Sequence, residues 1–326
     1  MNALMTSVPA LIVIGAVAIP VVVYLFLGVG DRMLRLLGGK SARLARPWFW
    51  LLVPLAVVGI ILVYPMIETI VSAFRNAQGD AWLGLGNFAW AFGGQMRGVL
   101  GNNLLWLIVF PLGTVLLALI VAVLFDRVRY ERFAMTLVVL PTAISFAAGS
   151  IIWRQIYEYQ PAGRDQTGLL NALWTLIPGT KPLAWLQTGA VNNYCLIFVG
   201  VWSSLGVAAL ILSAAVKSVP GELVEAARLD GAGEWRIFFS ITLPHITGAV
   251  LVVITTELIF ALKIFDIVYV MTNGNFNTNT VANQMYFELF SSQDLGRASA
   301  IAVVLLVVAI PIMVINIRQF RAERSR

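Results

Sequence analysis

Charge and sulfur are both scarce in this chain of 326 residues. It holds one cysteine, Cys195, and one histidine, His245, and only 12% of its residues are Asp, Glu, Lys or Arg. One cysteine excludes an intrachain disulfide framework and any multi-cysteine metal site. One histidine leaves no histidine zinc cluster and no histidine proton relay, so no metal site is expected. No GxxxxGK[ST] phosphate loop occurs, which predicts that the chain binds no ATP of its own. GxSxG, HExxH and CxxC are missing too, and no catalytic constellation remains. The chain therefore reads as a non-enzyme without a cofactor of its own. Alternating strand periodicity and internal repeats of solenoid length are also absent.

What is abundant is apolar. Hydrophobic residues make up 60% of the chain, and the mean hydropathy is +0.87. Soluble domains are roughly 45–50% apolar and about 25% charged. The composition predicts an all-α, polytopic membrane protein. Seven stretches near the ~20 residues needed to cross a bilayer fall at 8–30, 48–74, 99–125, 133–152, 191–215, 246–272 and 298–317. No charge precedes Asp31, so the first stretch lacks the basic start of a signal peptide and is expected to be retained.

The net charge of +6 lies in short loops and tails. It reads as topology signal and lipid-headgroup contact, not as a nucleic-acid surface. Arg32, Arg35, Lys40, Arg43 and Arg46 fill one loop, Arg127, Arg129 and Arg132 a second, and Arg318, Arg321, Arg324 and Arg326 the tail. Counting spans puts all three on one side, together with the polar stretch before the sixth span. By the positive-inside rule that side is cytoplasmic and the N-terminus external. The segments 75–98 and 153–190 are then external. Their aromatics read as interfacial belts or, alternatively, as a docking surface for an external partner.

Three ionisable residues interrupt the 246–272 stretch: Glu257, Lys263 and Asp266. Such groups are costly in lipid and face a cavity, a neighbouring helix or each other. On one continuous helix Lys263 and Asp266 stand about 60° apart, close enough for an intramembrane ion pair. Glu257 lies opposite them, and Phe260, Ala261 and Ile264 share its face. A carboxylate beside an aromatic ring suits a sugar, whose hydroxyls donate hydrogen bonds and whose ring stacks. The alternative is an interhelical hydrogen bond from Glu257. Glu68 sits at the outer end of its span and reads as interfacial.

The stretch from Glu225 to Pro244, EAARLDGAGEWRIFFSITLP, is the most specific signal. Pro220 suits a helix start, and Ser218 is placed to cap it. Glu222 and Glu225 stand where the helix dipole favours negative charge. Ala226 and Ala227 form helix with almost no side chain, so another surface can come close. Gly231 is placed as a left-handed cap. Trp235, Phe238 and Phe239 then form one apolar face, and Pro244 is expected to end the second helix. Read alone, the stretch is either a docking loop or an amphipathic turn over its own spans.

The order Glu225-Ala226-Ala227, Asp230-Gly231-Ala232, then Ile241, Leu243 and Pro244, resembles the EAA loop of permease subunits of binding-protein-dependent ABC importers. The run FDIVYVMTNG from Phe265 resembles the sugar-transporting branch, and Asn273 to Thr280 is similar to the α-glucoside and glucosylglycerol type. The resemblance covers about residues 48–320 and implies a type I importer permease. Its six-span core would carry one additional N-terminal helix in 1–47, a first core helix and external loop in 48–98, and the transport domain in 99–326. Residues 217–245 would be the loop that couples to the ATPase. The implied partners are a second permease, two ATP-binding subunits using ATP and Mg, an external solute-binding protein, a carbohydrate and the bilayer. By the same resemblance the substrate pathway would run past Glu257, Phe260, Ala261 and Ile264, and past Ser203, Ser204 and Val207 on the preceding span. Glycerol 3-phosphate or its diesters are the alternative cargo. An ion-coupled carrier and a non-transporting scaffold are the alternatives of other classes.

Overall fold

Proline and short irregular turns decide which apolar runs stay straight. The computed structural model describes the backbone continuously over residues 39–94, 96–126 and 128–324, with isolated positions from 17 to 32. Most of the expected 8–30 span lies outside the described residues. The chain divides into two compact units, one ending at Glu68 and one beginning at Thr69.

The helix Gly39–Val58 passes through a π turn, Gly59–Val63, into the helix Tyr64–Ser72, whose residues from Thr69 belong to the second unit. Counted from Arg46, this is a candidate span of 27 residues. Its apolar side chains point outward, with Trp48 71% and Ile60 69% exposed. That is the pattern of a helix whose solvent is lipid or another chain.

Two long helices form the axis of the second unit, Met96–Phe125 and Asn192–Lys217, and they pack against each other along their lengths. Their seam buries Trp106, Phe110, Leu196 and Val199 at one end and Val115, Ala118, Ala208 and Leu212 at the other. Small residues set how closely the helices approach. At Gly206 an added Cβ would lie 2.7 Å from the Val139 Cα and 2.8 Å from the Val138 carbonyl, so the Glu131–Val139 helix crosses there backbone to backbone. The helix Leu295–Arg324 supplies a further straight span over Leu295–Ile315.

The expected 133–152 span is not straight. A 3-10 turn at Leu140–Ala143 contains Pro141, and Ile144 is extended. Ser145 then caps a new helix, Phe146–Ile156, by accepting from the Ala148 N–H at 3.2 Å. The two halves meet at 100°. The expected 246–272 span is broken as well. Its helix Thr247–Leu262 stops at Lys263, and a separate helix, Asp266–Met271, follows. Among the described residues, four helices, or six spans if each bent pair counts as one, are long and apolar enough to cross a bilayer. No strand occurs among the described residues, only an isolated bridge between Arg75 and Trp82.

At the end of the axis opposite the Glu225–Pro244 loop, asparagines do the holding. Asn102 donates to the carbonyls of Asn277 at 2.8 Å and Asn279 at 2.9 Å, and Asn192 donates to that of Phe276 at 2.7 Å. Asn103 donates to Leu262 at 3.3 Å, and its oxygen accepts from the Val281 N–H at 3.0 Å. These bonds answer carbonyls freed by the helix break and hold a loop in which Asn273, Phe276 and Asn277 all have positive φ.

Candidate coupling loop and substrate passage

The loop begins where the 192–217 helix ends. Ser218 donates to the Ala215 carbonyl at 2.7 Å, so it closes that helix; the expectation that it caps the next one is not met. Pro220 occupies the N-cap position, without a side-chain cap, and the first loop helix runs Gly221–Leu229. Its end is a complete Schellman motif. Ala232 N–H bonds to Ala227 at 2.9 Å, Gly231 N–H bonds to Arg228 at 3.0 Å, and Gly231 has φ +81°. An added Cβ at Gly231 would meet nothing within 4 Å. Glycine is therefore set here by backbone conformation, not by crowding.

Past this turn the chain winds through Glu234–Ile237, a π turn at Phe238–Thr242 that contains Ile241, and Leu243–His245. Pro244 lies inside the last piece. The helix ends one residue later than expected, at His245, and the chain bends by 71° into the Thr247–Leu262 span. An ion pair unforeseen from the sequence joins the two loop helices: Arg228 Nε donates to Glu234 at 3.0 Å, and a second nitrogen reaches the other oxygen at 3.4 Å. Its signal was present, since the residues lie six apart across a predicted turn with opposite charge. Lys217 likewise pairs with Glu131 on the crossing helix.

The outer face of the loop is apolar and open. Leu229 is 90% and Trp235 78% exposed, and Trp235 stacks on Phe239, itself 58% exposed. Glu225, Ala226 and Asp230 are exposed beside them, and no residue of the Gly221–Leu229 helix is buried. Contiguous exposed apolar patches mark protein or membrane interaction sites.

The residues singled out for the passage separate into two groups. Glu257 is buried on the seam with the 192–217 helix and faces Ser204, while Ser203 is buried toward Gly149 on the 146–156 helix. Phe260 packs between Phe110 and Phe146, with ring centroids 5.3 and 4.5 Å away. Ala261 and Ile264 are buried in the core cluster that also holds Trp106, Phe110 and Leu196. Val207 is exposed. The expected Lys263–Asp266 ion pair is not formed. The ion pairs among the described residues lie elsewhere, because the helix ends at Leu262 and the two side chains belong to different segments. Both are exposed.

The family described as binding-protein-dependent transport system inner membrane component matches residues 114–321, a stretch that contains the whole loop and both bent helix pairs. The chain belongs to this family. It is 46% identical over 265 residues to the osmoprotective compounds uptake permease protein GgtC of Synechocystis sp., covering 81% of this chain and 95% of that one. It is 41% identical over 286 residues to the alpha-glucoside transport system permease protein AglF of Rhizobium meliloti, covering 87% and 85%. A chain of the bacterial ABC transporter involved in the import of the acidic polysaccharide alginate superposes with a TM-score of 0.72 at 20% identity, over 88% of this permease and 98% of that chain. That likeness establishes the fold, and the all-α type I importer architecture read from the sequence is the one found. The permease is embedded in a membrane and works as one component of an importer with other subunits.

Proposed function

We propose that this permease forms half of the translocation passage of an ATP-driven importer for small α-glucosides. The observation that carries the reading is its 41% identity, over 87% of its length, to an α-glucoside permease. The 46% identity to a permease for osmoprotective compounds favours a second cargo, a compatible solute, and a glucosylated polyol would satisfy both. A second, related permease completes the passage, and an external solute-binding protein delivers the sugar. Two ATPase subunits hold ATP and Mg, and the 217–245 loop docks on one of them.

The exposed apolar face of Leu229, Trp235 and Phe239 supports the docking role, since association buries such surface. Closure of the ATPase pair then moves the loop as a rigid body and biases the passage between its two faces. In the passage, Ser204, Val207 and Phe260 reach accessible surface, and Glu257 acts through Ser204. The loop side is cytoplasmic and the N-terminus external.

The function is tested by purifying the assembly with its binding protein. ATP hydrolysis and uptake into vesicles are then measured with maltose, trehalose, sucrose and glucosylglycerol. At least one should stimulate both activities; stimulation by none would end the carbohydrate reading. Orientation is tested in a Cys195→Ser background with single cysteines at Asn2 and Ser41. An impermeant thiol reagent on intact cells should label position 2 and spare 41, and the reverse pattern would invert the topology.

A further inference from the structure

A cleft in the second unit runs behind the coupling loop and shares Glu225, Trp235 and Phe239 with it, but its side on the 96–125 helix has no role above. It has a volume of about 1010 Å³ and lies between the 96–125 helix and the coupling loop. Its floor is apolar, made by Leu116, Leu119, Ile120 and Val123 on one side and Val224, Ile237 and Phe238 on the other.

Two observations say what fills it. The first is continuity with an outward apolar stripe. On the 96–125 helix Leu104, Ile108, Leu112, Leu116, Ile120 and Leu124 recur every fourth residue, and each is half exposed or more. The last three of these line the cleft. At about 1.5 Å per residue, Leu116 to Leu124 covers about 12 Å, close to the depth of one leaflet of a ~30 Å hydrocarbon core. The apolar floor of the cleft offers no polar partners to an ordered water.

The second observation is the rim, which carries both signs of charge. Asp126 and Glu225 line it and make no ion pair among the described residues. Lys217 and Arg228 line it as well. Each is paired with one carboxylate yet keeps further N–H donors: Lys217 has three protons for one partner, and the second terminal nitrogen of Arg228 remains.

We propose that this cleft is a binding site for a phospholipid with a primary-amine headgroup, of the phosphatidylethanolamine type. The acyl chains lie along the leucine stripe into the cleft. The ammonium donates to Asp126 and Glu225, and the phosphate accepts from Arg228 and Lys217. An anionic headgroup without an amine would leave both carboxylates unpaired beside a negative charge. A choline headgroup carries the charge but has no N–H to donate. The lipid would sit between the coupling loop and the span that the loop must move, so its presence would tune coupling. The site rests only on membrane embedding, not on the identity of the cargo.

The test uses the whole purified assembly in bilayer discs of phosphatidylethanolamine, phosphatidylcholine or phosphatidylglycerol. Native mass spectrometry counts the lipids retained after mild delipidation, and a photoreactive phosphatidylethanolamine maps the site. Retention of the ethanolamine lipid should exceed that of the other two by about ten-fold, with cross-links on the 116–124 stretch. Ile120→Trp, which fills the cleft, and Asp126→Ala, which removes the carboxylate acceptor, should each abolish the preference. Ile120→Leu should keep it, showing that the Trp variant acts by filling space. Equal retention of all three lipids, or unchanged retention in Ile120→Trp, would overturn the proposal. So would cross-links from Ile120→Cys to the second permease in place of lipid, since the cleft would then be a subunit interface.

Discussion

The coupling loop and the asparagine clasp are both polar interruptions of an apolar chain, yet they are built in opposite ways. Past its base, where Lys217 pairs with Glu131, the loop is held by bonds between residues three to six apart, such as Ala232 to Ala227 and Arg228 to Glu234. The clasp is held by bonds spanning 84 to 178 residues, such as Asn192 to Phe276 and Asn103 to Val281. The loop helix Gly221–Leu229 buries nothing, whereas Asn102, Asn103, Asn192 and Asn193 are all buried. A structure secured locally and left open is suited to be moved by a partner. One secured from a distance and sealed is suited to stay still.

The strongest way to break that contrast is to deform the loop where its own backbone is most constrained. At φ +81° a β-branched residue is strained, while asparagine adopts the left-handed region readily. Gly231→Val should cut uptake by about ten-fold or more, since a displaced docking face costs at least ~1.4 kcal/mol. Gly231→Asn should keep most of it. Membrane insertion should be unchanged in both, because the position is open and touches no span, and a small loss of thermal stability should be confined to the strained Val variant. A Val variant with normal uptake would mean that the loop does not have to hold its shape.

The clasp should respond in the other currency, stability. Asn103→Ala removes a donor to Leu262 and an acceptor for the Val281 N–H, and leaves both buried. An unmade buried bond costs roughly 1–3 kcal/mol. Intramembrane bonds average nearer ~0.6 kcal/mol each, because the unfolded reference also finds partners. The unfolding midpoint of the assembly should therefore fall by several degrees, and per-complex transport in the surviving fraction should stay normal. A transport defect with unchanged stability would make the clasp a moving part.

A smaller effect is expected at the ion pair across the loop turn. Arg228 and Glu234 are each about half exposed, at 50% and 46%, and such pairs contribute about 0.2–1 kcal/mol. Arg228→Glu should lower coupling, read as sugar transported per ATP hydrolysed, by about two- to five-fold. The swap Arg228→Glu with Glu234→Arg should recover most of it. Failure of the swap would assign Arg228 to a contact outside the loop.

The same contrast explains what the sequence could reveal. Gly231 announces its cap because a helix end is decided by neighbours, and the apolar lengths of 96–125 and 192–217 announce themselves by composition. The asparagines at 102, 103, 192 and 193 carry no such signal. Their partners lie far along the chain, and an asparagine at the end of an apolar run reads as an ordinary boundary. The breaks at Ile144 and Lys263 were hidden for a related reason. Hydropathy averages over a window and does not register one extended residue or three non-helical ones. The error at Lys263 then propagated, because a 60° separation between Lys263 and Asp266 presumes one unbroken helix.

Glu257 carries the smallest expected effect, and it sharpens the comparison by placing a third region between the two. The residue is 7% exposed, faces Ser204 across the seam, and lies on the same helix as the core residue Ala261. If its work is to join two helices, Glu257→Gln keeps the shape and an acceptor for the Ser204 hydroxyl. Uptake should then change by about two-fold or less, an effect below ~0.5 kcal/mol. If a sugar hydroxyl bonds the carboxylate directly, the charge-assisted bond is worth about 1.5–3 kcal/mol, and uptake should fall by ten-fold or more. Ser204→Ala separates the cases. In the seam it leaves a buried carboxylate without its partner and lowers the unfolding midpoint together with uptake. In the passage it frees the carboxylate for sugar and leaves stability intact. Measured on the assembly across sugar concentrations, paired losses of stability and uptake would group Glu257 with the static clasp. A loss of uptake alone would group it with the passage.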